Sequence, residues 1–371
     1  LLIVLGIPGE RWERSVGILP GFEQLLLVFL EGLKQGDGFV NVRELLILLI
    51  AGLGLNAHAQ IACTGEKSKI PVFRNVVIVV EENQSFEDVI RKDSKMPYLN
   101  ELAARGGLAH RYYANTHPSI NDYFILTAGR RGTSLPYGLA DTFGGTVSGD
   151  NVASILTGHD KSWKAYAENL PRVGYVGDGG DPQGLYAKRH NPFAYLKSVV
   201  EPASGLSQRE NIVPFKQFAA DLKDNKLPNY SFLVPNLVND AHDNPKTRRG
   251  AACGDEESLQ VADDWLKKNI KPLLDSESFQ KDGLLMIVFD EACDKGSKKD
   301  GSLGPKQSGG GGGHIAGVLV GAHLPEGGCV SDTIFHHESI LRLSLRALGV
   351  EEFPGAAATA PDLGEFFVAE H

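Results

Sequence analysis

The 371-residue sequence predicts an α/β fold, a three-layer α/β/α sandwich around a mostly parallel central sheet, and three observations point to it. Short apolar runs rich in β-branched residues alternate with segments whose apolar residues recur at helical spacing. The runs have the composition of strands buried on both faces, as in parallel sheets covered by helices. Several of them end in polar or acidic clusters, and ligands of open α/β sheets bind beyond the carboxyl ends of the strands.

Residues 1–59 are set apart as an N-terminal extension. Within it, Leu45 to Leu55 form an apolar run, and Ala57-His58-Ala59 follow at the spacing of a signal-peptidase site. A signal-peptide-like segment cut before Gln60 and a secreted or periplasmic protein are expected. The run is shorter than the roughly 20 apolar residues that span a bilayer, so no stable membrane insertion is expected.

Residues 60–371 are expected to form one domain. VVIVV (76–80) is its first strand and ends in EENQSFED. MPYLNELAARGG predicts a helix to about Arg105, stopped by glycine. A short strand, LAHRYYA, leads through THPSIND to a helix from about Asp122. Residues from about 130 to 228, rich in Gly, Asp and Pro, read as an irregular insertion over the active face, although Trp163 and Tyr166 suit a core. SFLVPN (231–236) is a strand ending in NLVNDAHDN, and ESLQVADDWLKKNIKPLL (257–274) an amphipathic helix that includes Trp265. LLMIVFD (284–290) and HIAGVLVGAHLP (314–325) are further strands, the second preceded by a Gly- and Lys-rich loop. HHESILRLSLRALG (336–349) is a closing helix capped by Gly349. Cys63, Cys253, Cys293 and Cys329 suit two disulfides, with three connectivities open, and no CxxC metal spacing occurs.

Composition narrows the function. At 42% hydrophobic and 22% charged the chain is not of the disordered or fibrous class. A net charge of -9 without a long basic block excludes a general nucleic-acid-binding surface. The strand ends carry the chemistry: Glu81, Glu82 and Asn83 after the first, Asp240, His242 and Asp243 after SFLVPN, and Asp290 and Glu291 after LLMIVF. Carboxylates gathered on one edge repel unless protonated or neutralised, so the set predicts a bound divalent metal, Mg, Mn, Ca or Zn. Ser119, between a His-Pro pair and an Asn-Asp pair, is a poor nucleophile until a cation or base activates it.

EENQSFEDV, THPSINDYFILTAG, KRHNP, NLVNDAHD, FDEA and HHESILR occur in an order that resembles the secreted phosphoesterase family of acid phosphatases and bacterial phospholipases C, a branch of the alkaline phosphatase superfamily. The resemblance spans about residues 72–350 and implies an alkaline-phosphatase-like fold. It implies metal ligands at Glu82, Asn83, Ser119, Asp290 and Glu291, with Ser119 also the nucleophile. His242 is then expected to touch the phosphate or to protonate the leaving group, and His190, His117 and Asp240 line the substrate phosphate. Asp240, His314 and His337 are candidates for a second metal. Relatives commonly have Pro-Asn-Tyr after the nucleophile, whereas this chain has Asn121-Asp122-Tyr123, an acid in place of an amide. The expected activity is hydrolysis of small phosphate monoesters through a phosphoserine. A phospholipase C-like phosphodiesterase and a non-catalytic binding protein on the same fold are the alternatives. Few apolar clusters occur in 130–228 to serve as a lipid-contacting rim, which favours a water-soluble monoester.

Overall fold

Nine strands form one sheet: β1 (Ile61–Ala62), β2 (Asn75–Glu81), β3 (Gly107–Ala114), β4 (Trp163–Ala167), β5 (Ile212–Pro214), β6 (Tyr230–Val234), β7 (Gly283–Phe289), β8 (Gly313–Gly321) and β9 (Cys329–Phe335). This computed structural model describes residues 61–133, 139–201, 207–293 and 311–368. The signal-peptide-like segment and most of the Gly- and Lys-rich tract before His314 lie outside the described residues. The strand order is β1-β9-β3-β8-β7-β2-β6-β4-β5. β8 runs antiparallel to both neighbours, β3 and β7, and all other neighbours are parallel.

Every residue of β2 and of β7 is buried, so both faces of the sheet are covered, and their runs of Val, Ile and Leu suit such a position. Helix Pro97–Arg105 packs on helix Glu256–Leu274, and helix Ser119–Ala128 packs on helix His337–Arg346. Asp263 ties the first pair together: its carboxylate accepts the free amides of Tyr98 and Leu99, at 2.9 and 2.8 Å, in the opening turn of the neighbouring helix. The long helix is itself capped by Asp255, which accepts the Ser258 amide at 2.9 Å.

Three elements differ from the sequence reading. Residues 130–228 are not only loop, because β4 and β5 extend the sheet beyond β6, with Trp163 and Tyr166 buried. β9 (CVSDTIF) escapes a periodicity argument, since only Cys329, Ser331 and Phe335 are buried. The helix expected from about Asp122 begins at Ser119. The disulfides are Cys63–Cys329, which joins the loop before β2 to β9, and Cys253–Cys293, which joins the segment after His242 to the turn after Asp290.

Near the end of the Gly- and Lys-rich loop before His314, Gly312 is tightly packed. Gly312 donates its amide to the Ala114 carbonyl at 3.0 Å, and its own carbonyl accepts from Ala292 at 2.7 Å. A Cβ there would lie 2.4 Å from the Thr116 carbonyl oxygen and 2.6 Å from the Ala114 Cβ. Gly312 therefore sits between the loop leading to Ser119 and the turn after Asp290, and only glycine fits. Gly312→Ala is expected to cost about 1–3 kcal/mol, as overpacking does. Denaturant unfolding measures this, and a variant as stable as the wild type would contradict the close packing.

Candidate active site

Three adjacent strands, β7, β2 and β6, run parallel, so the residues after them emerge on one edge. There Glu82, Asp240 and Asp290 are each almost wholly buried. The Glu82 amide donates to the Asp240 carbonyl at 2.7 Å, and the Asp290 amide to the Glu81 carbonyl at 2.9 Å. These main-chain bonds hold the acidic turns in register. Asn83 (φ 53°) and Ala241 (φ 71°) both occupy the left-handed region, the kind of local strain that a folded frame imposes near functional groups.

Ser119 opens a ten-residue helix whose residues are all buried. Its Oγ donates to Glu82 Oε2 at 3.2 Å. One turn on, Tyr123 presents its hydroxyl to the same carboxylate, donating to Glu82 Oε1 at 2.6 Å. Asn83 Nδ2 donates to Glu82 Oε2 at 2.7 Å, while the Asn83 amide donates to Asp290 Oδ1 at 3.0 Å. Ser119, Glu82, Asn83 and Asp290 are thus one contiguous group at the positive end of a helix, a setting that favours a bound phosphate.

The histidines divide between the reacting edge and its support. His190, fully buried and stacked on Tyr123, lies 3.3 Å from Glu82 Oε1 through Nε2 and 3.3 Å from Asp240 Oδ2 through Nδ1. Burial keeps its charged form well below the usual imidazole range, and the nearby Arg189 and His242 charges add to this. His242 Nδ1 lies 2.7 Å from Asp243 Oδ1. Burial opposes its charge, but Asp243 and Asp240 outweigh burial and raise its pKa. His117 Nδ1 pairs with Glu291 Oε2 at 2.9 Å.

The expected second-metal trio is not gathered. Asp240 faces His190, and its Oδ1 accepts the His242 amide at 2.8 Å. His314 turns Nδ1 to Glu87 Oε1 at 2.8 Å and Nε2 to the His110 carbonyl at 2.7 Å, with its ring against Phe86 and Tyr113. His337, fully buried, accepts from the Tyr112 hydroxyl at Nδ1 (2.7 Å) and donates from Nε2 to the Asp290 carbonyl (2.6 Å). Burial pushes its pKa down to about 3, which suits this neutral tautomer. Its role is to brace the main chain of Asp290.

The donor set fits a divalent cation. Burial raises Glu82 well above the carboxylate range, with Asp290 and Asp240 adding repulsion. Burial also raises Asp290 and takes Asp240 to about 8. Asp290 Oδ2 is buried without a hydrogen-bond partner. One ligand atom each of Glu82, His190 and His242 lies within 4.8 Å of the others. A cation could therefore replace protons that the carboxylates otherwise retain. Glu82, Asn83, Ser119 and Asp290, expected from sequence as oxygen ligands, lie together on this edge, Glu291 pairs with His117, and one nitrogen each of His190 and His242 lies near Glu82.

Asp122 accounts for its own oddity. Its Oδ1 accepts the Asn115 amide at 3.1 Å, so the side chain fastens the loop that delivers Ser119. Burial first, then Glu291 and Asp290, raise its pKa well above normal. A protonated carboxyl has one donor and one acceptor oxygen and can replace an amide. Sequence reasoning left Tyr123 without a role and counted Asp243 only among the acids at the strand ends. The Tyr123 signal was its spacing of four from Ser119 on one helix.

A family model described as Phosphoesterase family matches residues 90–350. A phosphate-repressible acid phosphatase of Penicillium chrysogenum is 31% identical over 72% of this chain and 57% of its own length. An acid phosphatase of Aspergillus fumigatus is 30% identical over 70% of this chain and 51% of its own. This chain therefore spans about half the length of those fungal relatives. A phosphatidylinositol-3-phosphatase of Mycobacterium tuberculosis is 29% identical over 81% of this chain and 85% of its own. Among solved structures, a protein in the alkaline phosphatase superfamily from Vibrio parahaemolyticus shares the fold, with a TM-score of 0.50, 14% identity, and coverage of 82% of this chain and 74% of that one.

The raised carboxyls set a pH dependence. Without metal, folded Asp240 keeps its proton up to about 8, whereas unfolding returns it to the ordinary value of 3.8. The folded state then binds more protons, so stability is full below that ordinary value and is lost as pH rises toward 8. The metal-free Tm is expected to fall from about pH 5 to about pH 8, and added divalent metal to restore more at the upper pH. A flat or rising Tm would contradict this. Asp122→Asn is expected to fold and to lessen the fall; a steeper fall in that variant would contradict the protonated Asp122.

Proposed function

The chain belongs to the Phosphoesterase family, and from that premise we propose that it is a metal-dependent phosphomonoesterase of the acid phosphatase kind, acting through a phosphoserine at Ser119. The observation that carries this reading is the Ser119 hydroxyl at a buried helix N-terminus, 3.2 Å from Glu82 Oε2. A divalent cation would be held by Glu82, Asn83, Asp290 and Ser119, and when bound it supplies charge neutralisation for an ionised hydroxyl and for phosphoryl oxygens.

The chain's own groups then divide the work. The positive end of the Ser119 helix favours the phosphoryl group beside Ser119. Ser119, ionised with its hydroxyl proton released to solvent, attacks phosphorus through Oγ as the bond to the leaving oxygen breaks, and His242 gives that oxygen a proton. Water then attacks the phosphoserine with His242 taking its proton, which frees inorganic phosphate and restores Ser119. His190, kept neutral and packed between Glu82, Asp240 and Tyr123, holds the acidic edge in shape. The Mycobacterium tuberculosis relative is named for a phosphatase acting on an inositol-lipid phosphate, also a monoester, so phosphatidylinositol 3-phosphate belongs beside soluble monoesters in the substrate test. The segment before Gln60 supports export of the enzyme.

Ser119→Ala is expected to lower p-nitrophenyl phosphate hydrolysis by at least about a thousandfold while metal content stays within a factor of about two. Activity near wild type in that variant would remove the nucleophile from this account. Because His242 acts as an acid and its pKa is raised, turnover is expected to be high on the acidic side and to decline once the imidazole loses its proton, at a higher pH than an ordinary imidazole. A pH profile with its maximum above about pH 8 would exclude His242 as that acid.

A further inference from the structure

We propose that Arg189 is a specificity-determining residue that reads the second negative charge of a phosphate monoester; this deepens the phosphomonoesterase reading and rests on it. Arg189 stands in the short turn Lys188–His190, directly before the buried His190. Its guanidinium NH2 lies 3.3 Å from His242 Nε2, and the His242 ring lies 5.5 Å from that of His190. Among the described residues it makes no ion pair with a carboxylate. Three other basic groups are committed elsewhere: Lys164 to Asp221, Arg342 to Asp362, and Arg130 to the carbonyls of Ser148 and Asp150. Arg189 is thus a cation beside an acidic edge with its charge unspent on an ion pair.

The contact with His242 shows what the guanidinium lacks. Asp243 accepts at Nδ1, so Nδ1 carries hydrogen, and Nε2 of the neutral ring accepts from Arg189. An Nε2 that carries a proton offers no lone pair. With the Nε2 proton of an acidic His242 directed at the leaving oxygen, Arg189 needs another acceptor, and a non-bridging phosphoryl oxygen supplies it. A monoester has three such oxygens and up to two charges, which a planar guanidinium can grip with two N–H groups. A diester has two such oxygens and one charge, so its second ester group would stand where the third oxygen sits.

The test compares wild type, Arg189→Ala and Arg189→Lys on p-nitrophenyl phosphate and bis-p-nitrophenyl phosphate, with inhibition by inorganic phosphate and by dimethyl phosphate measured in parallel. Arg189→Ala is expected to lower the monoester-to-diester ratio of kcat/KM at least about twentyfold, and to weaken inhibition by inorganic phosphate about a hundredfold while dimethyl phosphate shifts far less. Arg189→Lys keeps the charge without the fork and is expected to fall between. Equal losses on both esters, or inhibition by inorganic phosphate unchanged in both variants, would overturn the assignment while leaving the phosphomonoesterase reading intact. A wild-type protein inert on both esters would overturn that reading, and this assignment with it.

Discussion

Glu82, Asp240 and Asp290 meet at the carboxyl edge of β2, β6 and β7, and their mutual repulsion in a buried setting is the constraint around which the rest of the site is arranged. Sheet topology makes the meeting unavoidable, since the three strands are parallel neighbours. Carboxylates taken out of water must be protonated, paired or bound to a cation. The surroundings supply partial compensation at each one. Tyr123, Asn83 and Ser119 donate to Glu82, the Asn83 and Glu291 amides donate to Asp290, and His190 and the His242 amide face Asp240. What remains uncompensated is charge, which is the property a divalent ion offers.

The same constraint explains features that lie one step away from the carboxylates. His337 spends both ring nitrogens on Tyr112 and the Asp290 carbonyl, so it steadies the acidic turn from beneath. Gly312 lets that turn approach the loop before Ser119 without a side chain between them. Asp122 reaches back from the Ser119 helix to the amide of Asn115, which secures the entry of that helix. Cys253–Cys293 joins the chain that carries His242 to the chain that carries Asp290. Ser119, the acidic turn and the histidine loop come from distant parts of the sequence and are fixed to one another by these few contacts.

Much of this was legible in the residues. VVIVV and LLMIV announced central strands because a strand buried on both faces must be apolar throughout, and both proved wholly buried. The acidic endings EEN, NDAHD and DE marked the site because chain order places them after strands of one sheet. Other parts could not be read this way. β9 alternates imperfectly, and β4 and β5 are short strands in a Gly-rich stretch where turn residues dominate local propensity. His314 sat at the right edge, but a neighbouring Glu87 and a carbonyl take its nitrogens, a matter of side-chain direction that spacing does not encode. Arg189 stood out only as a neighbour of His190 in KRHNP, because an arginine beside a lysine is ordinary on a surface.

The most direct test of the central claim is titration calorimetry of the metal-free chain with a divalent cation, repeated in buffers of different ionisation enthalpy so that protons released on binding are counted. If the acidic edge holds protons until a cation replaces them, binding near neutral pH releases about one proton or more per ion, and Asp290→Asn reduces both release and affinity. Binding without proton release, or no binding at all, would contradict it.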